Sequence, residues 1–259
     1  MAHERFDMPA SFGPSTIPPM TTVAGAKAVI CSFETEPDAL AALLPRQLQP
    51  GEPAVVSVAA IHYPATDYMG GRGYNEIVVS LAARHGVGSD ALNAGFACVL
   101  WVDQFGALAA GREFQGLPKL MGRIDIHQAA EHATFGCAEY DAELLRASVT
   151  DLTPMSEDKL DAIRKAGTAV PTFGWKYIAS PMGEPDADYV TVNYTRWSYD
   201  RAWTGAGTAE FLRPSFTDAP YGAKVAAALA DLPVLRWRRA FVGEGTVIID
   251  RTMTRRLPG

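Results

Sequence analysis

The stretch Gly111-Arg-Glu-Phe-Gln-Gly-Leu-Pro-Lys-Leu-Met-Gly122 concentrates the chemistry of this chain. Lys119 stands between Leu117-Pro118 and Leu120-Met121, and of the six lysines it has the most apolar immediate neighbours. An amine forced into a low-dielectric site loses solvation of its charged form. The neutral amine can then attack a carbonyl and form a Schiff base, whose iminium is an electron sink for changes at an adjacent carbon–carbon bond. The plain alternative is a strand lysine whose stem packs and whose ammonium reaches water.

Most of the chain that must position this lysine reads as strand. Residues 54–63, 76–84 and 94–103 are short, β-rich apolar runs bounded by Gly, Pro, Asn or Asp. Residues 133–150 suggest a hairpin turning near 139–142, and 189–197 alternate well. A Gly-Glu-Gly turn at 243–245 predicts a closing hairpin between 237–242 and 246–250. Helices are few: 37–44, 156–165 behind a serine N-cap, and the Ala-rich 218–229. Strands that succeed one another without intervening helices favour an antiparallel sheet. The expectation is an α+β fold, with a large antiparallel, curved β-sheet closing into a barrel and a few peripheral helices. Residues 1–22 hold Pro9, Pro14, Pro18 and Pro19 and read as an extended arm, with 23–259 as a single domain.

Composition excludes several classes of function. Of the 259 residues, 48% are hydrophobic and 20% charged, which is globular rather than disordered. The net charge of −6 and the lack of a basic cluster argue against nucleic acid as a partner. No apolar run is long enough to span a bilayer, and the polar start lacks the hydrophobic stretch of a signal peptide. Cys31, Cys98 and Cys137 are widely spaced and suggest neither a disulfide framework nor a zinc site. They read as buried thiols of a cytoplasmic protein. His62, His127 and His132 lack metal-ligand spacing, and no P-loop, dinucleotide, zincin or nucleophile-elbow motif is present.

The run Gly111-Arg112-Glu113, followed by Leu117-Pro118-Lys119, resembles the signature of the acetoacetate decarboxylase family. The similarity extends through Asp38-Ala-Leu40, Glu52-Pro53, Tyr74-Asn-Glu76, Pro171 to Lys176, Ala202-Trp-Thr-Gly205 and Asp231-Leu-Pro-Val234. It implies a cone-like β-barrel, a Schiff-base lysine at Lys119, a homo-oligomer with a tetramer favoured, and neither a metal nor an organic cofactor. The chain departs from the decarboxylase pattern at three places. Leu120 stands where a second lysine is usual, residues 54–63 lack the family's glutamate, and no arginine lies near Ala26 or Lys27.

Gln115 resembles instead a branch of the family that acts on pyruvate or other 2-oxo acids. An amide there can donate to a carboxylate and accept from a hydroxyl without adding charge; a hydrogen bond to a neighbouring strand is the alternative. Within the resemblance, Glu76 is the expected general acid/base and Tyr74 a substrate hydrogen-bonding group. Arg112 is either a carboxylate clamp or the partner of Glu113 in a structural ion pair. The aromatic group Tyr194, Trp197, Tyr199 and Trp203 is expected to serve core packing. The expected function is a Schiff-base lyase acting on a 2-oxo acid and an aldehyde, by aldol condensation and dehydration or the reverse. Decarboxylation of a β-keto acid and a non-catalytic ligand-binding barrel are the alternatives.

Overall fold

The computed structural model describes residues 5–167 and 169–258, so part of the predicted arm (residues 1–4) and Gly259 lie outside the described residues. The chain runs as strand β1 (Met20–Glu34), helix α1 (Pro37–Ala41), and strands β2 (Gln49–Pro50), β3 (Val55–Tyr63), β4 (Tyr74–His85) and β5 (Leu92–Val102). Helix α2 (Phe105–Ala110) follows and continues into a wider π-helical turn (Gly111–Gln115). Then come β6 (Lys119–Met121), β7 (Arg123–Gln128), β8 (Ala133–Glu139), β9 (Ala142–Pro154), helix α3 (Glu157–Ala166) and β10 (Val170–Ile178). The long β11 (Ala187–Phe211), helix α4 (Ala223–Ala230), β12 (Arg236–Trp237) and the long β13 (Arg239–Arg256) complete it.

Hydrogen bonding joins β10–β5–β4–β3–β1–β13–β11 in order, and β11 returns to β10, so the sheet closes into a ring. Strands β9, β8 and β7 extend from β11 as a wing. Nearly all pairings are antiparallel, as expected from strands without helical crossovers. Two are parallel: β10 with β5, and β5 with β6. The second exists because the segment through α2 carries the chain back alongside β5 as far as Leu100, so that β6 pairs in parallel with Leu100–Val102, the crossover a parallel pair requires. The sequence reading had no helix at 105–110.

Alternation decides which face each side chain takes. On β4, Ile77, Val79 and Leu81 enter a large core with Val56 and Val58 of β3, Phe33 of β1, Trp101 of β5 and Leu144 of β9. Tyr74 points to the opposite face, into a second, smaller apolar cluster with Tyr63, Val23, Val102, Ala107 and Ile249. That smaller cluster houses the site described below.

The predicted closing hairpin is corrected. Residues 239–256 form one strand between β1 and β11, with a register shift on β11 between Tyr199 and Arg201. Its glycines serve close approach, not a turn. A Cβ on Gly243 would lie 2.5 Å from Tyr199 Cε1, and one on Gly245 would overlap the Ser198 carbonyl oxygen.

Candidate active site

Lys119 opens the short strand β6, placed beside Leu100 of β5. On the far side of β5, Val102 pairs with Glu76 of β4, which in turn pairs with Ile61 of β3. Lys119 and Glu76 thus lie two strands and two residues apart. That is roughly 10 Å across the sheet at ~4.8 Å per strand, a gap their long side chains bridge. Lys119 Nζ is 2.5 Å from Glu76 Oε2, and each residue is 5% exposed.

The loop before β6 fixes the lysine from behind. The π-helical turn ends at Gly116, whose φ of 68° lies in the left-handed region where glycine is favoured. The Leu117 amide donates to the Gly111 carbonyl at 3.0 Å, and the Lys119 amide to the Leu117 carbonyl at 2.8 Å. The Arg112 guanidinium donates to the Lys119 carbonyl at 3.2 Å. Gly111 leaves room for the lysine stem, because a Cβ there would fall 2.5 Å from Lys119 Cδ and Cε.

Three tyrosines line the pair. The Tyr63 hydroxyl makes a long hydrogen bond, 3.5 Å, to Glu76 Oε1. The Tyr63 and Tyr74 rings stack at 4.4 Å, and Lys119 Nζ lies 5.6 Å from the Tyr74 ring centre. Tyr68, in a 3₁₀ turn (Asp67–Met69), packs on the same cluster, and its hydroxyl interacts with that of Tyr74. Burial, reinforced by the negative charge of Glu76, holds the Tyr63 and Tyr74 hydroxyls well above the usual tyrosine range. Burial pushes Tyr68 up to about 12. All three are therefore neutral at physiological pH and can donate to a developing oxyanion. A buried lysine–carboxylate pair is weak evidence for stability, since desolvation offsets the attraction. It is, however, a suitable device for moving a proton off and onto an amine.

The structure brings Lys119, Glu76 and Tyr74 together, and among the described residues no hydrogen bond joins the Lys119 amine to Gln115 or Arg112. Gln115 is buried, and its backbone carbonyl accepts from Thr191 Oγ1 at 2.7 Å and Asn193 Nδ2 at 3.0 Å. It lines a cavity of about 330 Å³ together with Phe114, Arg251 and Thr254. Arg112 is exposed and bound to the Lys119 carbonyl, so it braces the strand. Glu113 accepts the Met8 amide at 3.1 Å instead of pairing with Arg112, and so ties down the arm. His62 bonds Asn75 at 2.8 Å. Leu120 points to the other face of β6, against the large core. A lysine there would not share the site, so the residue type at 120 does not separate decarboxylase from aldolase chemistry. Of the aromatic group, Trp197 packs on the smaller cluster, while Tyr194 and Trp203 pack on the large core.

Sequence reasoning missed Tyr63, Tyr68 and Arg251. Tyr63 was visible only as a strand end, and its pairing with Tyr74 needs the β3–β4 register. Arg251 follows the point where a hairpin reading ended the chain's last strand.

The family model described as acetoacetate decarboxylase (ADC) matches residues 7–253. An acetoacetate decarboxylase of Chromobacterium violaceum is 27% identical over 230 residues, covering 86% of this chain and 85% of that protein. The crystal structure of acetoacetate decarboxylase from Legionella pneumophila superposes with a TM-score of 0.74 at 20% identity, over 95% of this chain and 92% of the other. The enduracididine biosynthesis enzyme MppR complexed with pyruvate superposes with a TM-score of 0.67 at 19% identity, over 99% of each chain. Another structure of that enzyme holds the condensation product of pyruvate and imidazole 4-carboxaldehyde. The two structural likenesses, at these identities, establish a shared fold.

Proposed function

The chain belongs to the acetoacetate decarboxylase family, and from that premise we propose that it is a Schiff-base-forming lyase acting on a 2-oxo acid of the pyruvate type. The observation that carries this reading is the Lys119–Glu76 pair, an amine and a carboxylate in contact at 2.5 Å inside a tyrosine-lined apolar cluster. Glu76 takes the proton that frees the Lys119 amine. The amine attacks the substrate carbonyl, Glu76 returns a proton to the carbinolamine hydroxyl, and water leaves as the iminium forms. Loss of a proton from the carbon beside the iminium gives an enamine, which adds to an aldehyde. Loss of water and hydrolysis then free the unsaturated 2-oxo acid and regenerate Lys119. The same steps in reverse hydrate and cleave such an acid. Tyr74 and Tyr63 supply neutral donors to the oxygen at the reacting carbon, and Gln115 supplies an uncharged amide beside the site. The pyruvate bound by the structural neighbour MppR supports this substrate class.

Decarboxylation of acetoacetate is the second reading, favoured by the match to a decarboxylase over 86% of the chain. Both begin at the same amine, so one experiment separates them. The protein is incubated with pyruvate or with acetoacetate, reduced with borohydride, and the adduct located by peptide mass mapping. A pyruvate adduct on Lys119 without carbon dioxide release from acetoacetate is the expected result. Carbon dioxide release at catalytic rates would replace the aldolase reading with the decarboxylase. Adduct formation that survives Lys119→Ala would defeat both.

A further inference from the structure

The cavity beside Gln115 contains a charge that its walls do not neutralise. Arg251, on β13, is 2% exposed. Its Nη1 donates to Thr21 Oγ1 at 2.8 Å and to the Pro18 carbonyl at 3.2 Å, both uncharged acceptors. Its guanidinium carbon lies 5.0 Å from the Tyr68 ring centre. Its Nε is buried without a hydrogen-bond partner, and among the described residues no carboxylate is placed within 4.0 Å to pair with it. The nearby acids are engaged elsewhere. Asp250 faces Arg196 at 3.6 Å, and Asp67 accepts from the Thr21 hydroxyl and the Tyr68 amide. Burial presses the guanidinium below its ordinary range, which the charge of Asp67 only partly opposes. Arg5, from the N-terminal arm, adds a second positive charge to the same cavity; the Glu113 carboxylate, which accepts the Met8 amide, offsets only one of the two and leaves the lining one positive charge in excess.

A buried charge without a partner is costly, so its retention at a cavity wall marks a place for an anion from outside. Guanidinium geometry suits a carboxylate, which it can hold through two parallel hydrogen bonds. At about 330 Å³ the cavity lies at the small end of ligand sites. Packed side chains link its wall to the amine: Lys119 Nζ lies 5.6 Å from the Tyr74 ring centre, the Tyr74 and Tyr68 hydroxyls interact, and the Arg251 guanidinium carbon lies 5.0 Å from the Tyr68 ring centre.

We propose that Arg251, in the cavity it shares with Gln115, anchors a carboxylate of the carbonyl substrate and thereby selects keto acids over neutral ketones. The inference rests on the Schiff-base reading of Lys119. The carboxylate is either the one beside the reacting carbonyl or one at the far end of a longer skeleton. Borohydride trapping at Lys119 is measured with hydroxyacetone, pyruvate and 2-oxoglutarate, for the wild type, Arg251→Met and Arg251→Lys. Calorimetry with oxamate and glutarate, which do not form the Schiff base, is run in parallel.

Arg251→Met is expected to raise the half-saturating concentration of the keto acids at least tenfold and to leave hydroxyacetone within twofold. Arg251→Lys recovers part of the loss, since it keeps the charge but not the fork. It also carries the test alone if the methionine variant fails to fold. Preference for oxamate and pyruvate assigns the carboxylate beside the carbonyl; preference for glutarate and 2-oxoglutarate assigns the distal one. The proposal is overturned if neutral and acidic carbonyls weaken alike, if neither weakens, or if the wild type binds neither oxamate nor glutarate. If the wild type traps no carbonyl compound, the Schiff-base reading fails by itself. Loss of oxamate or glutarate binding in Arg251→Met then still supports the anchor.

Discussion

Gly111→Ala sets two physical effects against each other. Gly111 has φ −67° and ψ −45°, ordinary helical values that alanine adopts without strain. Backbone propensity alone therefore predicts that alanine stabilises the protein by about 1 kcal/mol. Packing predicts the opposite. The new methyl carbon would sit 2.5 Å from Lys119 Cδ and Cε, whereas carbon atoms rest at about 3.5 Å or more. Roughly 1 Å must be found in a buried site, and overpacking of this kind costs about 1–3 kcal/mol. The net expectation is a loss of up to about 2 kcal/mol, and a Tm lower by several degrees for a chain of this size. The rate should suffer more than the stability. The stem can yield only by shifting Nζ from Glu76, and a displacement of about 1 Å at a reacting group costs on the order of 100-fold. Thermal unfolding followed by circular dichroism, and the initial rate of borohydride-trapped adduct with pyruvate, measure the two effects. A variant with a raised Tm and wild-type trapping would refute the claim that the lysine stem is held against Gly111.

Glu139→Ala should destabilise the fold by about 2–4 kcal/mol, read as a lower urea midpoint at unchanged slope. Its buried carboxylate accepts the Tyr221 and Gly222 amides ahead of α4 at 3.1 and 2.5 Å, and both donors would lose their partner. A midpoint within error of wild type would show that water takes over those amides. Cys31 is fully buried, and burial pushes its thiol from 9.0 up to about 12. Unfolded chains release that proton from about pH 9 while the folded protein keeps it. The contribution of Cys31 is thus undiminished below pH 9 and falls by about 1.4 kcal/mol per unit as pH rises through 9 to about 12, on top of the same effect at Cys98 and Cys137. Urea denaturation at pH 8.5, 9.5 and 10.5 should show Cys31→Ala losing stability less steeply than wild type. Parallel pH slopes would contradict the assignment.

The amino-acid sequence by itself determined the central strands, because short β-rich apolar runs bounded by Gly, Pro, Asn or Asp are a local property. Strands β3, β4 and β5 and the β8–β9 hairpin lie where the pattern put them. It also singled out Lys119, since an amine among Leu, Pro and Met is chemically conspicuous without any coordinates. The tertiary structure decided what that amine meets. Glu76 lies 43 positions away and reaches Lys119 only through the β4–β5–β6 register. Two parts of the reading went astray for the same reason. Gly243 and Gly245 read locally as a turn, yet they are small because β11 presses Tyr199 and Ser198 against them. The run at 105–110 is too short and too uniformly apolar to show a helical period, and it is the return of the chain to β6 that makes it a crossover helix. Arg251 is the extreme case. It is one arginine among many in the sequence, and its meaning arises from burial beside Thr21 and Pro18, more than 200 positions earlier in the chain. Whether a charge is solvated or stranded depends on what the fold packs around it, and no local pattern records that.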